Sequence, residues 1–315
     1  MPAKVVGMRR AQRSRGARNR PRMLAVAGDS AAGKTTLVKG IVEALGPERC
    51  TSICVDDYHR YDREERRSLP FTPLHPDCNH IRIMEQHLQL LAAGHPILKP
   101  VYDHGYGTLI RPELVEPRDY VIVEGLLPLH TKLSRACFDV SIYLDPPEEI
   151  RREWKVRRDT AERGYTAEQV LAELDRREPE SAAYIRPQRA HADVVVRFAP
   201  IEGRPHSPDT PLSATLLLRP TIPQPPLSEM LEDEHRWTIH LKLVRDERGR
   251  PTDALHIHGY APHEDTQVAK KVIWKALERP ESIPATLGRL DAGVHSEPLA
   301  LTQLLLLYHL LRMPR

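Results

Sequence analysis

Aromatic side chains are scarce in this 315-residue chain, at 5% of positions, and cysteines number only four. Cys50, Cys54, Cys78 and Cys137 form no C-x-x-C pair and no disulfide framework, so a reducing cytoplasm is the expected setting. Long apolar runs are also missing. The longest, Leu299–Leu311, is interrupted by Gln303 and His309 and is too short to span a bilayer, so no membrane partner is expected. Acids are absent from residues 1–22, which carry eight bases. Removing those eight from 46 leaves 38 bases against 43 acids, a balance of about −5 for the rest. With one serine and no apolar run, this stretch is excluded as a secretory signal and is a poor transit peptide. A nucleic-acid arm and a solvated, disordered tail over 1–21 both remain open. The tail is the simpler reading, and nucleic acid is not an expected partner. What is present, 40% hydrophobic and 28% charged residues, is the composition of an ordinary soluble globule with room for a sizeable core.

The chain is organised around Leu24–Thr36. A short apolar strand runs into Gly28-Asp29-Ser30-Ala31-Ala32-Gly33-Lys34-Thr35-Thr36, and a helix follows over 37–45. The loop fits G-x-x-x-x-G-K-[ST]. Glycines let successive backbone N–H groups converge on phosphate oxygens, and the helix aims its positive end at them. Lys34 then reaches the outer phosphates and the Thr35 hydroxyl reaches Mg²⁺, which makes this a site for ATP.

Downstream, Cys50–Val55 reads as a strand that delivers Asp56-Asp57-Tyr58-His59 to its carboxyl end, where ligands sit in an open parallel sheet. The charged stretch Arg60–Arg67 reads either as a solvated helix with i,i+4 pairs or, through its arginines, as a holder of a second anion. A helix is expected over 81–93. Pro100–Gly107 reads as a turn-rich loop that brings Tyr102 and His104 within reach of a ligand. The strand 119–125 ends in Glu124, either a second Mg²⁺ contact or a plain helix cap. Another strand covers 139–144. A helix over 148–163 carries Lys155, Arg158, Asp159 and Arg163 along one stripe, and a second, over 166–177, opens with a capping pattern at Thr166–Gln169.

The last third differs. Residues 200–211 read as a linker and 215–218 as a strand. A hairpin is expected over 237–260, with Trp237, Ile239, Leu241 and Leu243 inward and His240, His256 and His258 outward. Those histidines invite a metal reading, but polar residues on the solvent face of a strand pair are normal. Two helices follow, over 264–277 and 298–311, the latter apolar enough for core or a subunit interface.

Residues 22–198 resemble the phosphoribulokinase/uridine kinase family of P-loop kinases, closer to its phosphoribulokinase branch in the plant and cyanobacterial form. The phosphate loop carries this resemblance, with Asp56-Asp57-Tyr58-His59 followed by Asp62, Arg63 and Arg67. The run Lys155–Glu168 fits the family signature, and Tyr102-Asp103-His104 and Val121–Gly125 add to it. The resemblance implies an α/β fold: a mostly parallel P-loop sheet with helices on both faces. A kinase core would span 22–200, and a C-terminal antiparallel and helical extension over 201–315 would complete the sheet and make dimer contacts. It implies γ-phosphoryl transfer from ATP to O1 of ribulose 5-phosphate, with Mg²⁺ held by Thr35 and Glu124, in a homodimer. Asp56 takes the part of general base, and Lys155, Arg158 and Asp159 close over the moving phosphoryl. His59, Arg63, Arg67, Tyr102, His104, Arg163, Arg176 and Arg177 take parts in sugar-phosphate binding, Arg176 and Arg177 in a binding or regulatory one. Ala32 stands where the plant form has a cysteine in the loop, and Cys54 at its partner position, so a plant-type thiol switch is not expected.

Two rivals remain. A nucleoside kinase of the uridine type shares the loop, as would another sugar-phosphate kinase of the family. A nucleoside acceptor is neutral and aromatic-bound, whereas Tyr58-His59 followed by arginines suits an anion. A non-catalytic, nucleotide-gated protein that binds nucleic acid through the basic tail would leave Asp56 and the Lys155–Glu168 run without purpose.

Overall fold

The segments RMLAVAG, YVIVEG and VSIYL are apolar on both faces, the pattern of strands buried between two helical layers. In the computed structural model, which describes residues 20–204, 207, 210–231, 238–290 and 293–314, they form the centre of an eight-stranded sheet. Its strands are β1 (Arg22–Gly28), β2 (Cys50–Cys54), β5 (Tyr120–Gly125), β6 (Val140–Leu144), β7 (Val194–Ala199), β8 (Ser213–Leu218), β9 (Ile239–Arg245) and β10 (Pro251–Ile257). Two others, β3 (Ile97–Asp103) and β4 (Thr108–Val115), pair only with each other. The helices are α1 (Lys34–Leu45), α2 (Ile81–Ala92), α3 (Lys132–Arg135), α4 (Glu148–Arg163), α5 (Ala167–Glu180), α6 (Leu227–Met230), α7 (His263–Ala276) and α8 (Glu297–Arg312).

The strand order is β2-β5-β1-β6-β7-β8-β10-β9, parallel as far as β7 and antiparallel beyond it. Register sets Val26 and Cys54 on either side of Glu124, so three neighbouring strands end together. One core cluster lies under α1, α7 and α8, and another under α2 on the opposite face. Helix α8 is core. Leu304, Leu305 and Leu306 are fully buried, each contributing roughly 1.5–3 kcal/mol over an exposed position. The Gln303 amide of α8 donates to the carbonyls of Thr36 and Leu37, 3.3 Å each, tying the last helix to the first turn of α1.

Several expectations need correcting. Of the expected loop Pro100–Gly107, Pro100–Asp103 belongs to β3, and only His104–Gly107 forms a turn, leading into β4, whose residues are almost all exposed. The apolar pattern is inverted in β3, where Leu98 is exposed and Lys99 buried. Arg60–Arg67 forms a loop and a 3₁₀ turn (Glu65–Ser68), with the Asp62 carboxylate accepting the Glu64 and Glu65 N–H groups in place of i,i+4 pairs. Helix α5 runs past Pro179 into a π turn at Ser181–Ile185. Leu243 points outward, 84% exposed among the described residues, on β9, the edge strand of the sheet. The hairpin histidines form no ligand-distance trio among the described residues; His240 and His256 stack at 5.4 Å. Trp237 and residues 1–19 of the basic tail lie outside the described residues.

Candidate active site

The phosphate loop grows out of β1. A Cβ at Gly28 would sit 2.9 Å from the Leu144 carbonyl, so only glycine lets the loop pass β6. Ala31 takes a left-handed conformation (φ 63°) and α1 opens directly after Gly33. The Lys34 ammonium donates to the carbonyls of Gly28 (2.9 Å) and Asp29 (2.8 Å), neutral acceptors it can exchange for a phosphate oxygen. Burial lowers its pKa against the pull of Asp56, Asp29 and Glu124. Asp29 is fixed from three sides: it accepts from Ser181 and from the Ser30 N–H, and Arg151 stands 3.6 Å away. Arg151 also donates to the Ser30 carbonyl. A cavity of about 400 Å³ adjoins this end of the loop, lined by Asp29, Pro147, Arg151, Arg186 and Arg197 among others.

The Thr35 hydroxyl faces Glu124 at 3.3 Å. Burial raises the Glu124 pKa, opposed by Lys34 and Thr35. An exposed hydroxyl beside a carboxylate at a strand end is an all-oxygen donor set, which fits Mg²⁺.

Asp56 and Asp57 follow β2 and have opposite surroundings. Asp57 is bound by Lys99, itself 5% exposed, and by the Tyr102 N–H. Among the described residues the Asp56 carboxylate makes no hydrogen bond or salt bridge, while Lys34, Cys54, His59 and Glu124 feel its charge. It is the unengaged carboxylate beside the loop lysine.

Beyond Asp56, His59 is buried, held by Asn79 at 2.7 Å and edge-on to Tyr102; burial lowers its pKa, against the pull of Asp56. Arg63 donates to the His104 carbonyl at 2.6 Å. Gly107 (φ 75°) permits this, since a Cβ there would clash with the Arg63 side chain. The Tyr102 hydroxyl is taken by Arg66, so Tyr102 orients that arginine and His59 from a buried position. Arg67 is exposed.

Helix α4 carries a separate cation group. Asp159 binds Lys155, Arg158 (2.9 Å) and Arg163 (3.6 Å). Burial pushes the Asp159 carboxyl up, but these cations hold it below its ordinary value, while burial pulls Lys155 down to about 8. Arg176 and Arg177 both bind Glu173, and Arg177 also acts on Lys155. No hydrogen bond or ion pair joins this group to Asp56 among the described residues.

Sequence reasoning missed Lys99, Asn79, Arg151, Ser181 and Glu173. Only Glu173 was within reach, lying three and four positions before the arginines it binds. The others act across 20 to 152 positions of chain.

The sequence model of the "Phosphoribulokinase / Uridine kinase family" matches residues 23–202. Over 178 residues the chain is 43% identical to a phosphoribulokinase of Synechocystis sp., covering 56% of this chain and 54% of that one. Over 197 residues it is 34% identical to the chloroplastic phosphoribulokinase of Spinacia oleracea, covering 57% and 49%. The chain therefore matches about half the length of these curated relatives. In fold it resembles a phosphoribulokinase from Rhodobacter, at a TM-score of 0.58 and 17% identity, covering 82% of this chain and 97% of that one.

Proposed function

Since this chain belongs to the phosphoribulokinase/uridine kinase family, we propose that it transfers the γ-phosphoryl group of ATP to O1 of ribulose 5-phosphate, giving ribulose 1,5-bisphosphate and ADP. The observation that carries the reading is the contrast between Asp57, locked to Lys99, and Asp56, free beside Lys34. A carboxylate that accepts no protein hydrogen bond keeps its lone pairs for a substrate proton. Asp56 removes the O1 proton as the oxygen attacks. Lys34 leaves its two loop carbonyls for the outer phosphates, and the loop N–H groups hold the rest. The cavity beside Asp29 and Arg151 takes the nucleoside half of ATP. Thr35 and Glu124 would hold Mg²⁺, which would offset the negative charge of the phosphates.

Arg63, Arg66, Arg67 and His59 bind the 5-phosphate of the acceptor, and His104 lines its entry. Lys155 and Arg158, oriented by Asp159, neutralise charge on the transferring group, and Arg163, Arg176 and Arg177 extend that positive wall. An anionic acceptor explains why arginines rather than aromatics follow Asp56, and this favours a sugar phosphate over uridine. The functional unit is a homodimer in the cytoplasm; among the described residues no helix is long and apolar enough to cross a membrane. ADP formation by the purified full chain, measured across ribulose 5-phosphate, other sugar phosphates and uridine, tests the proposal. Turnover with ribulose 5-phosphate at least tenfold above every other acceptor is expected; preference for uridine overturns it.

A further inference from the structure

We propose that Cys54, Asp56 and His104 form a second cation site, selective for a borderline divalent ion of the zinc type, distinct from the Thr35–Glu124 pair. One ligand atom from each of the three residues lies within 4.8 Å of the other two, a grouping found nowhere else among the described residues. They come from three pieces of chain that the fold brings together: the end of β2, the 3₁₀ turn after it, and the β3–β4 turn.

One sulfur, one nitrogen and one oxygen donor make a three-ligand set with a fourth position left for water or substrate. At zinc bond lengths a tetrahedral centre sets its ligands roughly 3.3–3.8 Å apart. The three atoms thus have up to about 1.5 Å to close, and His104, exposed on a turn, can close it by side-chain rotation. Asp56 breaks no protein hydrogen bond to bind. Its own backbone N–H donates to the Cys54 sulfur, an outer contact that orients a thiolate ligand. Binding replaces the Cys54 S–H bond by a metal–sulfur bond and releases the proton to solvent. Mg²⁺ prefers oxygen ligands and keeps to Thr35 and Glu124. The consequence, which rests on Asp56 being the base, is that a zinc-type ion switches the kinase off by occupying the carboxylate that must take the substrate proton.

Co²⁺ serves as the probe, titrated into the full chain without nucleotide. A sulfur-to-cobalt charge-transfer absorption saturating at one ion per chain is expected, reversed by Zn²⁺ and untouched by excess Mg²⁺. Cys54→Ser removes the band although three other cysteines remain, and His104→Ala, on an exposed turn, lowers affinity about tenfold or more. No band in the wild type, or a band that survives Cys54→Ser, overturns the site. In the kinase assay with Mg²⁺ in excess, Zn²⁺ inhibits the wild type, and Cys54→Ser raises the inhibitory concentration about tenfold or more. A band without inhibition overturns the switch. A band in a protein that does not phosphorylate ribulose 5-phosphate overturns the functional reading and leaves the site standing.

Discussion

The phosphate-loop side and the Asp56–His104 side of the proposed site are built on different principles. The first is a strand, a turn and a helix in unbroken sequence, whose binding groups are backbone N–H donors fixed by β1 and α1. The second is a set of side chains on 3₁₀ turns and a two-stranded hairpin, held by contacts such as Lys99 on Asp57, Asn79 on His59 and Arg63 on the His104 carbonyl. Phosphate recognition can be local because every nucleotide triphosphate offers the same oxygens. Recognition of one acceptor needs a shape, and long-range contacts supply it.

Asp56→Asn gives the sharpest break between the two sides. It keeps the shape of the side chain and removes the base, so kcat should fall by about 10²–10⁴. KM for ATP and the unfolding midpoint should stay close to wild type. A loss of less than tenfold in kcat would remove Asp56 from the chemistry.

Lys99→Met tests whether the acceptor side depends on its hairpin anchor. It strands Asp57, whose side chain is 13% exposed, without its counter-charge. Removing one partner of such a pair costs about 3–5 kcal/mol, read by denaturant unfolding. The acceptor KM should rise while the KM for ATP changes little, because among the described residues no hydrogen bond or ion pair joins the phosphate loop to β3. Equal effects on both would mean the sides are mechanically one.

The smallest effect concerns pH. Burial lowers Lys155 to about 8, so its charge is present below that pH and lost above it. In the free enzyme kcat/KM should therefore decline as pH rises through about 8, and Lys155→Arg, whose guanidinium stays charged, should move the decline upward. A limb unmoved by this substitution assigns the titration elsewhere.

Legibility in the sequence follows the same division. The phosphate loop, Glu124 at its strand end, α4 with its stripe and the Thr166–Gln169 capping box are all local patterns, and the structure contains each as read. The β3–β4 hairpin escapes a sequence reading because β4 is exposed along almost its whole length, and in β3 a lysine, Lys99, takes a buried position while Leu98 is exposed. Leu243 was assigned inward for a related reason: alternation gives the faces of a strand but not whether anything lies beyond its end. The free state of Asp56 beside the bound Asp57 could not be read at all, since two adjacent aspartates look alike until Lys99 arrives from 42 positions away.

By itself the sequence determined where the glycine-rich Gly28–Thr35 loop lies and which helices and strands surround it. Backbone conformation, helix dipole and apolar period are properties of neighbouring residues, so a short window contains their cause. Only the tertiary structure decided which aspartate is free, which arginines are engaged and by what, and that Cys54 and His104 meet at Asp56. A charge has no fixed role until its partners are known, and here the partners arrive through the packing of the hairpin against the end of β2.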